Sequence, residues 1–324
     1  MPADEQGIPR ATGHACHSTG TSPAVSSFRV RVPATSANLG SGFDCLGLAL
    51  GRYNTLTVRP SDRTQVIVRG EGAGRLASDG RNLIYRAITA AYAERAATPP
   101  PLLLECENTI PVARGLGSSS SAIAAGLVIA RALLDGALSM ASLIRVGTRL
   151  EGHPDNIVPC LLGGIQVSVT SQGEVLTCPI TAPPALRAIV FVPDIPMRTE
   201  EARAALPRSV TMKQAVFNIS RAALLVAALE RGRLDLLATA TEDALHQPPR
   251  SRIFPAFPHV IQAALSAGAH GAFLSGAGST VLALGTENND KVADAMLRAA
   301  ADRSIGGFTE ILDLDQQGAT VTET

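Results

Sequence analysis

The chain has 324 residues, of which 46% are hydrophobic, and its 28 basic and 28 acidic side chains leave no net formal charge. This length is enough for two compact domains or one large one around a sizeable core, and the balanced charge gives no electrostatic basis for a nucleic acid or an acidic membrane as partner. The five cysteines are scattered and form no C-x-x-C pair, so neither a disulfide framework nor a zinc site is indicated, and reduced cytoplasmic thiols are the simplest interpretation.

The N-terminal segment, residues 1–26, is rich in Gly, Ser, Thr, Pro and Ala and shows no periodicity, which predicts a flexible extension. It lacks the apolar core of a signal peptide, and no apolar run in the chain approaches the length of a membrane span. We therefore expect a soluble, cytoplasmic protein whose folded structure begins near residue 28.

The first half of the chain mixes strand and helix patterns. Alternating or β-branched runs predict strands, and apolar residues at helical spacing predict helices that are poor in charge and therefore buried. The predicted strands are 28–32, 53–58, 65–68, 102–106 and 163–170, and the predicted helices are 82–91, 118–134 and 139–150.

A proline-containing segment at 179–184 reads as a linker. It places a boundary near residue 178, which gives one domain at 27–178 and a second at 179–324. In the second domain the predicted strands are 186–192, 271–274, 280–284 and 308–312, and the predicted helices are 199–205, 211–231, 258–267 and 288–301. This mixed order is typical of an α+β domain.

The most informative segment is a glycine- and serine-rich loop, PVARGLGSSSS at residues 111–121, which runs directly into the Ala-rich helix predicted from residue 118. Gly115 and Gly117 permit unusual backbone angles and close approach, and the N–H groups at the helix start point toward an anion. A phosphate chain fits this description, although no G-K-[ST] follows and the loop is not of the Walker type. On composition alone, a flexible Gly/Ser linker that caps a helix is the alternative.

Three motifs in this order resemble the signatures of the GHMP kinases, whose members phosphorylate galactose, homoserine, mevalonate and other small alcohols. The first is PATSANLGSGFD at 33–44, the second is P-x-x-x-G-L-G-S-S within 111–121, and the third is GAFLSGAGST at 271–280. The resemblance spans residues 28–313. It implies an α+β fold of two domains, with a ribosomal protein S5 domain 2-like N-terminal domain, a ferredoxin-like C-terminal domain and an active site between them.

In this family the glycine-rich loop wraps the triphosphate of ATP, so the resemblance implies ATP as the phosphoryl donor. It implies nucleotide contacts at Asn82, Pro111, Arg114, Gly115, Leu116, Gly117, Ser118, Ser119, Ser120 and Ser121. For Asn82, a simple helix N-cap is at least as good an interpretation. Ser118 and Glu151 match the family positions that hold Mg²⁺, an ion that prefers hard oxygen ligands.

The segment EGHPDN at 151–156 separates this chain from part of the family. Members that act on mevalonate or galactose place an aspartate where Asn156 stands, and mevalonate kinases add a lysine in the first motif, which this chain lacks. The resemblance therefore implies transfer to the side-chain hydroxyl of L-homoserine, in threonine biosynthesis. It implies that Asp44 binds the ammonium group, that Arg203 and Arg250 bind the carboxylate, and that Asn38, His153 and Asn156 lie near the reacting hydroxyl.

Asn156 stands where related kinases have an aspartate, and an amide cannot act as a base at neutral pH. The sequence therefore offers no obvious side chain to take the proton of the reacting hydroxyl. We predict catalysis by positioning and charge stabilisation. The proton would pass to a γ-phosphate oxygen or to water, and Asp44 and His153 are further candidates to accept it.

Local sequence patterns alone also allow other roles for the residues of the acceptor pocket. They allow a solvated pair of Arg203 with Glu200, a surface position for Arg250 and turn roles for Asp44 and His153.

Two other functions stay open. One is a kinase of the same family that acts on threonine or a related amino alcohol. The other is a nucleotide-binding regulator without catalysis, but such a protein would not need the metal ligands Ser118 and Glu151.

Homodimers are common in the family, so a homodimer is compatible with the resemblance. The chain departs from the family pattern at Ser120, where Ala often ends the second motif, and at Ala256, where Gly often follows Pro.

Overall fold

The structure is a computed structural model that describes residues 27–323. The extension predicted for residues 1–26 lies outside the described residues. The strands of the described chain form two sheets, and their bounds are β1 Phe28–Ala37, β2 Leu46–Pro60, β3 Gln65–Gly70, β4 Leu102–Asn108, β5 Ile165–Ser171, β6 Glu174–Ile180, β7 Arg187–Pro193, β8 Gly271–Leu274, β9 Val281–Gly285, β10 Gly307–Asp313 and β11 Thr320–Glu323.

The helices cover the sheets and connect their strands. Within residues 27–323 they are α1 Leu83–Ala93, α2 Ser118–Leu133, α3 Met140–Glu151, α4 Ile157–Leu162, α5 Thr199–Ala204, α6 Met212–Glu230, α7 Leu237–Ala240, α8 Gln247–Arg250, α9 Phe257–Ser266 and α10 Asn289–Ala301, with a 3₁₀ turn at Leu234–Leu236 before α7.

The larger sheet has the strand order β11-β1-β2-β4-β3, and β5 and β6 extend it from β2. Strand β2 is 15 residues long, so one part pairs with β4 and another with β5. Its partner β1 shifts register between Pro33 and Ala34, and such a bulge bends a strand. Beyond this bend the end of β1 carries the first glycine-rich motif toward the loop before α2.

The smaller sheet has the antiparallel order β10-β7-β9-β8. Because successive side chains of a strand point to opposite faces, the central strand β7 serves two cores. Val190 and Val192 pack into a core shared with β2, β5 and α6, whereas Ile189 and Phe191 pack under α9 and α10. The first of these cores therefore joins the two sheets.

Helix α2 is the buried helix that the sequence predicts, and its small residues bring its neighbour close. A Cβ atom added at Gly126 would lie 2.3 Å from the carbonyl oxygen of Ile84 in α1. Since real atoms do not approach so closely, only glycine permits this packing. The helix is thereby held against α1 and the larger sheet, and its N-terminus is directed at the cleft.

Most predicted elements occur within a few residues of their predicted bounds, but two strands are absent from the prediction. Strand β6 is largely exposed and contains Pro179, so it lacks the apolar alternation of a half-buried strand. Strand β11 is four residues long and pairs with β1 in the larger sheet. The boundary at residue 178 falls within β6, and the division into 27–178 and 179–324 stays a prediction.

The expectation that no apolar run reaches the length of a membrane span is wrong for one helix of residues 27–323. Helix α6 has 19 residues and a mean hydropathy of 1.2, which suffices by length and composition. Its residues Leu225, Ala228 and Leu229 pack into the core that joins the two sheets. Met212, Val216 and Ile219 of the same helix are exposed, so only part of α6 belongs to this core, and the absence of a membrane partner stays a prediction.

Candidate active site

The three glycine-rich motifs meet at one cleft, where residues as many as 239 positions apart in the chain are in contact. The first follows the bend in β1, the second precedes α2, and the third is the turn between β8 and β9. The backbone hydrogen bonds that join them are Thr35 N to Leu116 O (3.1 Å), Gly276 N to Ala37 O (3.1 Å) and Thr280 N to Arg114 O (3.0 Å).

Two glycines of the second motif make this meeting possible. Gly115 and Gly117 have φ of +76° and +67°, and Cβ atoms added there would lie 2.3 Å from Ser275 O and 1.9 Å from Thr35 Oγ1. Both the left-handed backbone and the close approach exclude a side chain. The sequence predicted the glycines for contact with a phosphate, and the structure shows that they also permit contact with the other two motifs.

The N-terminus of α2 opens into the cleft. Gly117 is its N-cap, and no side chain within residues 27–323 accepts a hydrogen bond from the first turn. The free N–H groups and the positive end of the helix dipole therefore remain available to an anion. Gly115, Gly117, Ser118 and Ser119 line this part of the cleft.

The carboxylate of Glu151 faces this helix start from the last residue of α3. It accepts hydrogen bonds from Ser119 Oγ at 2.7 Å and from Ser120 Oγ at 2.9 Å. Ser118 borders the same cleft as Glu151. The serine hydroxyls at the start of α2 and the carboxylate at the end of α3 therefore lie close together beside the glycine-rich loop.

Other loop residues predicted as nucleotide contacts stabilise the loop itself. Arg114 donates hydrogen bonds to the carbonyl oxygens of Val112, Pro193 and Asp194. The Ser121 hydroxyl donates to the carbonyl oxygen of Ser118, and Pro111 and Leu116 are buried. Direct nucleotide contacts of these side chains stay a prediction.

Asn82 is the N-cap of α1. This is one of the two roles that the sequence allowed for it, the other being a nucleotide contact. Its Oδ1 accepts from Ile84 N at 3.0 Å, and its Nδ2 donates to Ala77 O at 2.7 Å. It also lines a second cavity that adjoins the cleft and has apolar walls, including Val68 and Leu83. A flat aromatic base would fit such walls, and a contact of Asn82 with it stays a prediction.

On the far side of the cleft, Asp44 and Arg203 form a two-pronged ion pair. Arg203 Nη2 lies 2.8 Å from Asp44 Oδ1, and Nη1 lies 3.1 Å from Oδ2. These hydrogen bonds, opposed by partial burial, raise the pKa of Arg203. Arg203 does not form the surface pair with Glu200 that local spacing allowed, because Glu200 lies beside Arg198.

Arg250 lies deeper in the same pocket and is only 2% exposed, so the surface position considered from the sequence is wrong. Its Nη1 donates to Gly276 O at 2.9 Å and to His246 Nδ1 at 2.8 Å. Burial, assisted by the positive charge of Arg203, lowers the pKa of Arg250 to about 10. The buried guanidinium therefore favours an anionic partner.

Asn38 connects this pocket to the third motif. Its Nδ2 donates to Gly276 O at 2.9 Å, and its Oδ1 accepts from the backbone N–H of Asp44 at 3.0 Å. Asn38 also has a positive φ of 72°, a conformation that asparagine tolerates better than most residues. Its side chain thus determines where Asp44 is placed.

The segment after α3 lines the cleft together with the glycine-rich loop and the pair of Asp44 and Arg203. Asn156 Oδ1 accepts from Thr35 Oγ1 at 2.8 Å, and His153 Nδ1 is hydrogen-bonded to the buried Asp155 carboxylate. Burial opposes the charged imidazole, but the hydrogen bond and charge of Asp155 outweigh it, so the pKa of His153 is raised. Both side chains are therefore oriented by buried partners.

The sequence reasoning missed four residues of this site: Thr35, Phe43, Asp155 and His246. Thr35 and Phe43 stand within the first motif, Asp155 stands within the segment 151–156, and His246 stands four residues before Arg250. Each of them contacts another side chain of the site. The contacts of Thr35 with Asn156 and of Phe43 with His246 join residues more than a hundred positions apart, for which sequence spacing gives no signal, whereas Asp155 and His246 lie within four residues of His153 and Arg250.

Comparisons with known proteins agree with this arrangement. The profile of the GHMP kinases N terminal domain matches residues 82–164, and that of the GHMP kinases C terminal matches residues 225–302. The homoserine kinase of Moorella thermoacetica is 42% identical over 292 residues, which cover 90% of this chain and 99% of the relative. The homoserine kinase of Desulfitobacterium hafniense is 40% identical over 294 residues, which cover 90% and 99%.

Solved structures give the same result for the fold. The homoserine kinase of Cytophaga hutchinsonii has a TM-score of 0.83 at 30% identity, over 92% of this chain and 98% of its own. Mevalonate kinase from L. major has a TM-score of 0.64 at 16% identity, over 92% and 100%, and shares the fold alone. The α+β GHMP kinase fold implied by the three motifs is confirmed.

Replacing Gly117 by alanine tests the close approach of the motifs. Gly117→Ala adds both an unfavourable backbone angle and a clash with Thr35. Gly136→Ala adds only the unfavourable angle (φ +77°), because no atom of the described part of the chain lies within 4 Å of its added Cβ. We expect Gly136→Ala to cost about 1 kcal/mol of unfolding free energy and Gly117→Ala clearly more. Urea unfolding measures both, and equal losses would contradict the clash.

Proposed function

The chain belongs to the GHMP kinases, in the branch of the homoserine kinases, and from this premise we infer that it transfers the γ-phosphoryl group of ATP to the side-chain hydroxyl of L-homoserine. The product is O-phospho-L-homoserine, and we assign the enzyme to threonine biosynthesis in the cytoplasm. The observation that carries the assignment is the placement of Asp44, Arg203 and Arg250 across a cleft from an uncapped helix N-terminus.

The donor end of the cleft suits a triphosphate. The first N–H groups of α2 and the backbone of Gly115 and Gly117 offer hydrogen-bond donors to phosphate oxygens. Neither lysine of the chain, Lys213 or Lys291, stands in this motif. The charge of the phosphates must therefore be offset by the helix dipole and by a cation.

We propose Mg²⁺ as that cation, because the side chains present fit it. Ser118 offers a hydroxyl and Glu151 a carboxylate, both hard oxygen ligands, and Mg²⁺ completes its shell with water and phosphate oxygens. When bound, the ion would supply charge compensation between the β- and γ-phosphates. The hydroxyl groups of Ser119 and Ser120 keep the carboxylate of Glu151 beside the loop.

The acceptor end of the cleft suits a zwitterionic amino acid. The carboxylate of Asp44 receives two hydrogen bonds from Arg203 and retains lone pairs for an ammonium group. Asp44, His153 and Asp155 offer ligand atoms within 4.8 Å of one another, but the two carboxylates already accept from Arg203 and His153. We therefore assign this cluster to the ammonium group of the substrate and assign Arg203 and Arg250 to its carboxylate.

For the transfer itself, we propose positioning and charge stabilisation. The amide oxygen of Asn156 is engaged by Thr35, which leaves the NH₂ group to donate to the reacting hydroxyl or the phosphoryl oxygens. No side chain is then required as a base at this position, and the proton passes to a γ-phosphate oxygen or water, with Asp44 and His153 as the remaining candidates.

Turnover of Mg-ATP with a panel of acceptors tests the assignment. We expect selective ADP formation with L-homoserine over L-threonine, L-serine, D-homoserine, mevalonate and galactose, measured by coupled detection of ADP. A preference for another amino alcohol would keep the kinase and overturn the assignment of Asp44, Arg203 and Arg250. The absence of turnover with every acceptor would instead favour a nucleotide-binding regulator.

The ion pair of the acceptor pocket gives a second test. Asp44→Asn removes the charge that we assign to the ammonium group, so KM for L-homoserine is expected to rise about tenfold to a hundredfold with KM for ATP unchanged. Asp235→Asn is the matched control, because Asp235 also accepts two hydrogen bonds from one arginine, Arg233, but on the surface. Equal KM values in the two variants would refute the role of Asp44.

Asn156 gives a third test. Asn156→Ala removes the donor near the reacting hydroxyl, and we expect kcat to fall by at least about tenfold with little change in KM for ATP. Steady-state kinetics with saturating substrates measure this loss. Full turnover of Asn156→Ala would show that the amide has no part in the reaction.

A further inference from the structure

His246 is a fully buried imidazole next to the acceptor pocket that no step of the proposed reaction uses. It precedes α8, the short helix that ends at Arg250, and none of its side chain is exposed. A buried histidine needs hydrogen-bond partners for both ring nitrogens. The identity of these partners indicates what this residue does.

The two partners determine the state of the ring. His246 Nε2 lies 2.7 Å from the carbonyl oxygen of Gly40, and Nδ1 lies 2.8 Å from Arg250 Nη1. A carbonyl oxygen only accepts, so Nε2 carries the hydrogen, and a guanidinium only donates, so Nδ1 carries a lone pair. Burial, together with the positive charge of Arg250 and against the negative charge of Asp243, lowers the pKa of His246 to about 4.

The surroundings hold the imidazole ring in place. Phe43 stacks on it with centroids 5.2 Å apart. The buried Asp243 carboxylate accepts from the backbone N–H groups of His246 and Gln247 at 2.8 and 2.6 Å, which anchors the start of α8. The ring therefore has one orientation available to it.

Arg250 depends on this orientation. Its Nη1 is shared between His246 and Gly276 O, and the ring of Phe43 lies 5.7 Å from its guanidinium carbon. Its Nε is buried and has no hydrogen-bond partner among residues 27–323. Because Arg250 lines the cleft and its hydrogen bonds to residues 27–323 are made by Nη1, its other N–H groups are left for a carboxylate bound there.

We propose that His246 is a positioning residue for the acceptor's carboxylate: it accepts a hydrogen bond from one end of the Arg250 guanidinium and so directs the remaining donors into the cleft. The inference rests on the proposed function, because it presupposes an amino-acid acceptor. A residue that served only the stability of the fold would affect acceptors with and without a carboxylate alike.

Two substitutions separate the two hydrogen bonds of His246. In His246→Asn the side-chain oxygen can occupy the place of Nδ1 and accept from Arg250, whereas in His246→Gln the longer side chain brings its amide to the place of Nε2, near Gly40. We expect His246→Gln to raise KM for L-homoserine about tenfold to a hundredfold, with KM for ATP unchanged, and His246→Asn to retain most of the wild-type value.

A second acceptor identifies the group that is affected. The second acceptor is 3-aminopropan-1-ol, which keeps the hydroxyl and the amine of homoserine but lacks the carboxylate. Its kcat/KM is expected to be lower than that of L-homoserine and to be the same in wild type and in His246→Gln. The control is His259→Gln, because Nδ1 of His259 accepts from Arg303 at 3.1 Å on the surface, and that variant is expected to keep the wild-type KM.

The outcomes are separable. A wild-type enzyme that does not phosphorylate L-homoserine refutes the proposed function, whereas active wild type with an unchanged KM in His246→Gln overturns the positioning role alone. An equal loss with both acceptors, or an equal loss in the Asn and Gln variants, also overturns it.

Imidazole nitrogen NMR of the wild-type enzyme gives a measurement that does not depend on the folding of His246→Gln. We expect an Nε2–H tautomer that stays neutral around pH 7, identified as the signal that is lost in His246→Asn. A signal from the Nδ1–H tautomer or from an imidazolium at neutral pH would contradict the acceptor role of Nδ1.

Discussion

The close approach of three glycine-rich segments is the constraint on which the rest of the site depends. Gly115 and Gly117 leave room for the carbonyl oxygen of Ser275 and the hydroxyl of Thr35, and backbone hydrogen bonds then fix the segments to one another. Because each segment ends a strand or begins a helix, this junction sets where the N-terminus of α2 and the end of β1 lie. A side chain at either glycine would separate the elements that form the two ends of the cleft.

Charge is the second organising feature, and it acts locally. The chain has no net charge, yet within one cleft an uncapped helix start and two arginines attract anionic groups while Asp44 attracts a cationic one. The pair of Arg203 with Asp44 is only partly exposed, and Arg250 is almost fully buried, so these charges are poorly screened by solvent. A molecule with both a carboxylate and an ammonium group would satisfy Asp44 and the two arginines together and would leave the helix start to the phosphate chain, which is why the proposed acceptor is an amino acid.

Much of the fold could be predicted because its strands and helices carry regular apolar patterns. The central strand β7 and the long helices α2 and α6 are found close to their predicted bounds. Strands β6 and β11 escaped prediction, since an exposed edge strand and a four-residue strand gain their stability from neighbours rather than from their own pattern. The same holds for the bend in β1, which depends on its pairing with β2.

The sequence by itself determined the three glycine-rich motifs and the family, and it predicted the residue types of the proposed acceptor pocket, because these depend on side-chain chemistry and on spacing within short motifs. Only the tertiary structure decided that Arg203 pairs with Asp44 rather than with Glu200, that Arg250 is buried, and that His246 lies between Gly40 and Arg250. The physical reason is that partners of this kind stand as many as 206 residues apart. Their contact results from the packing of two sheets against a common core, and no local pattern encodes it.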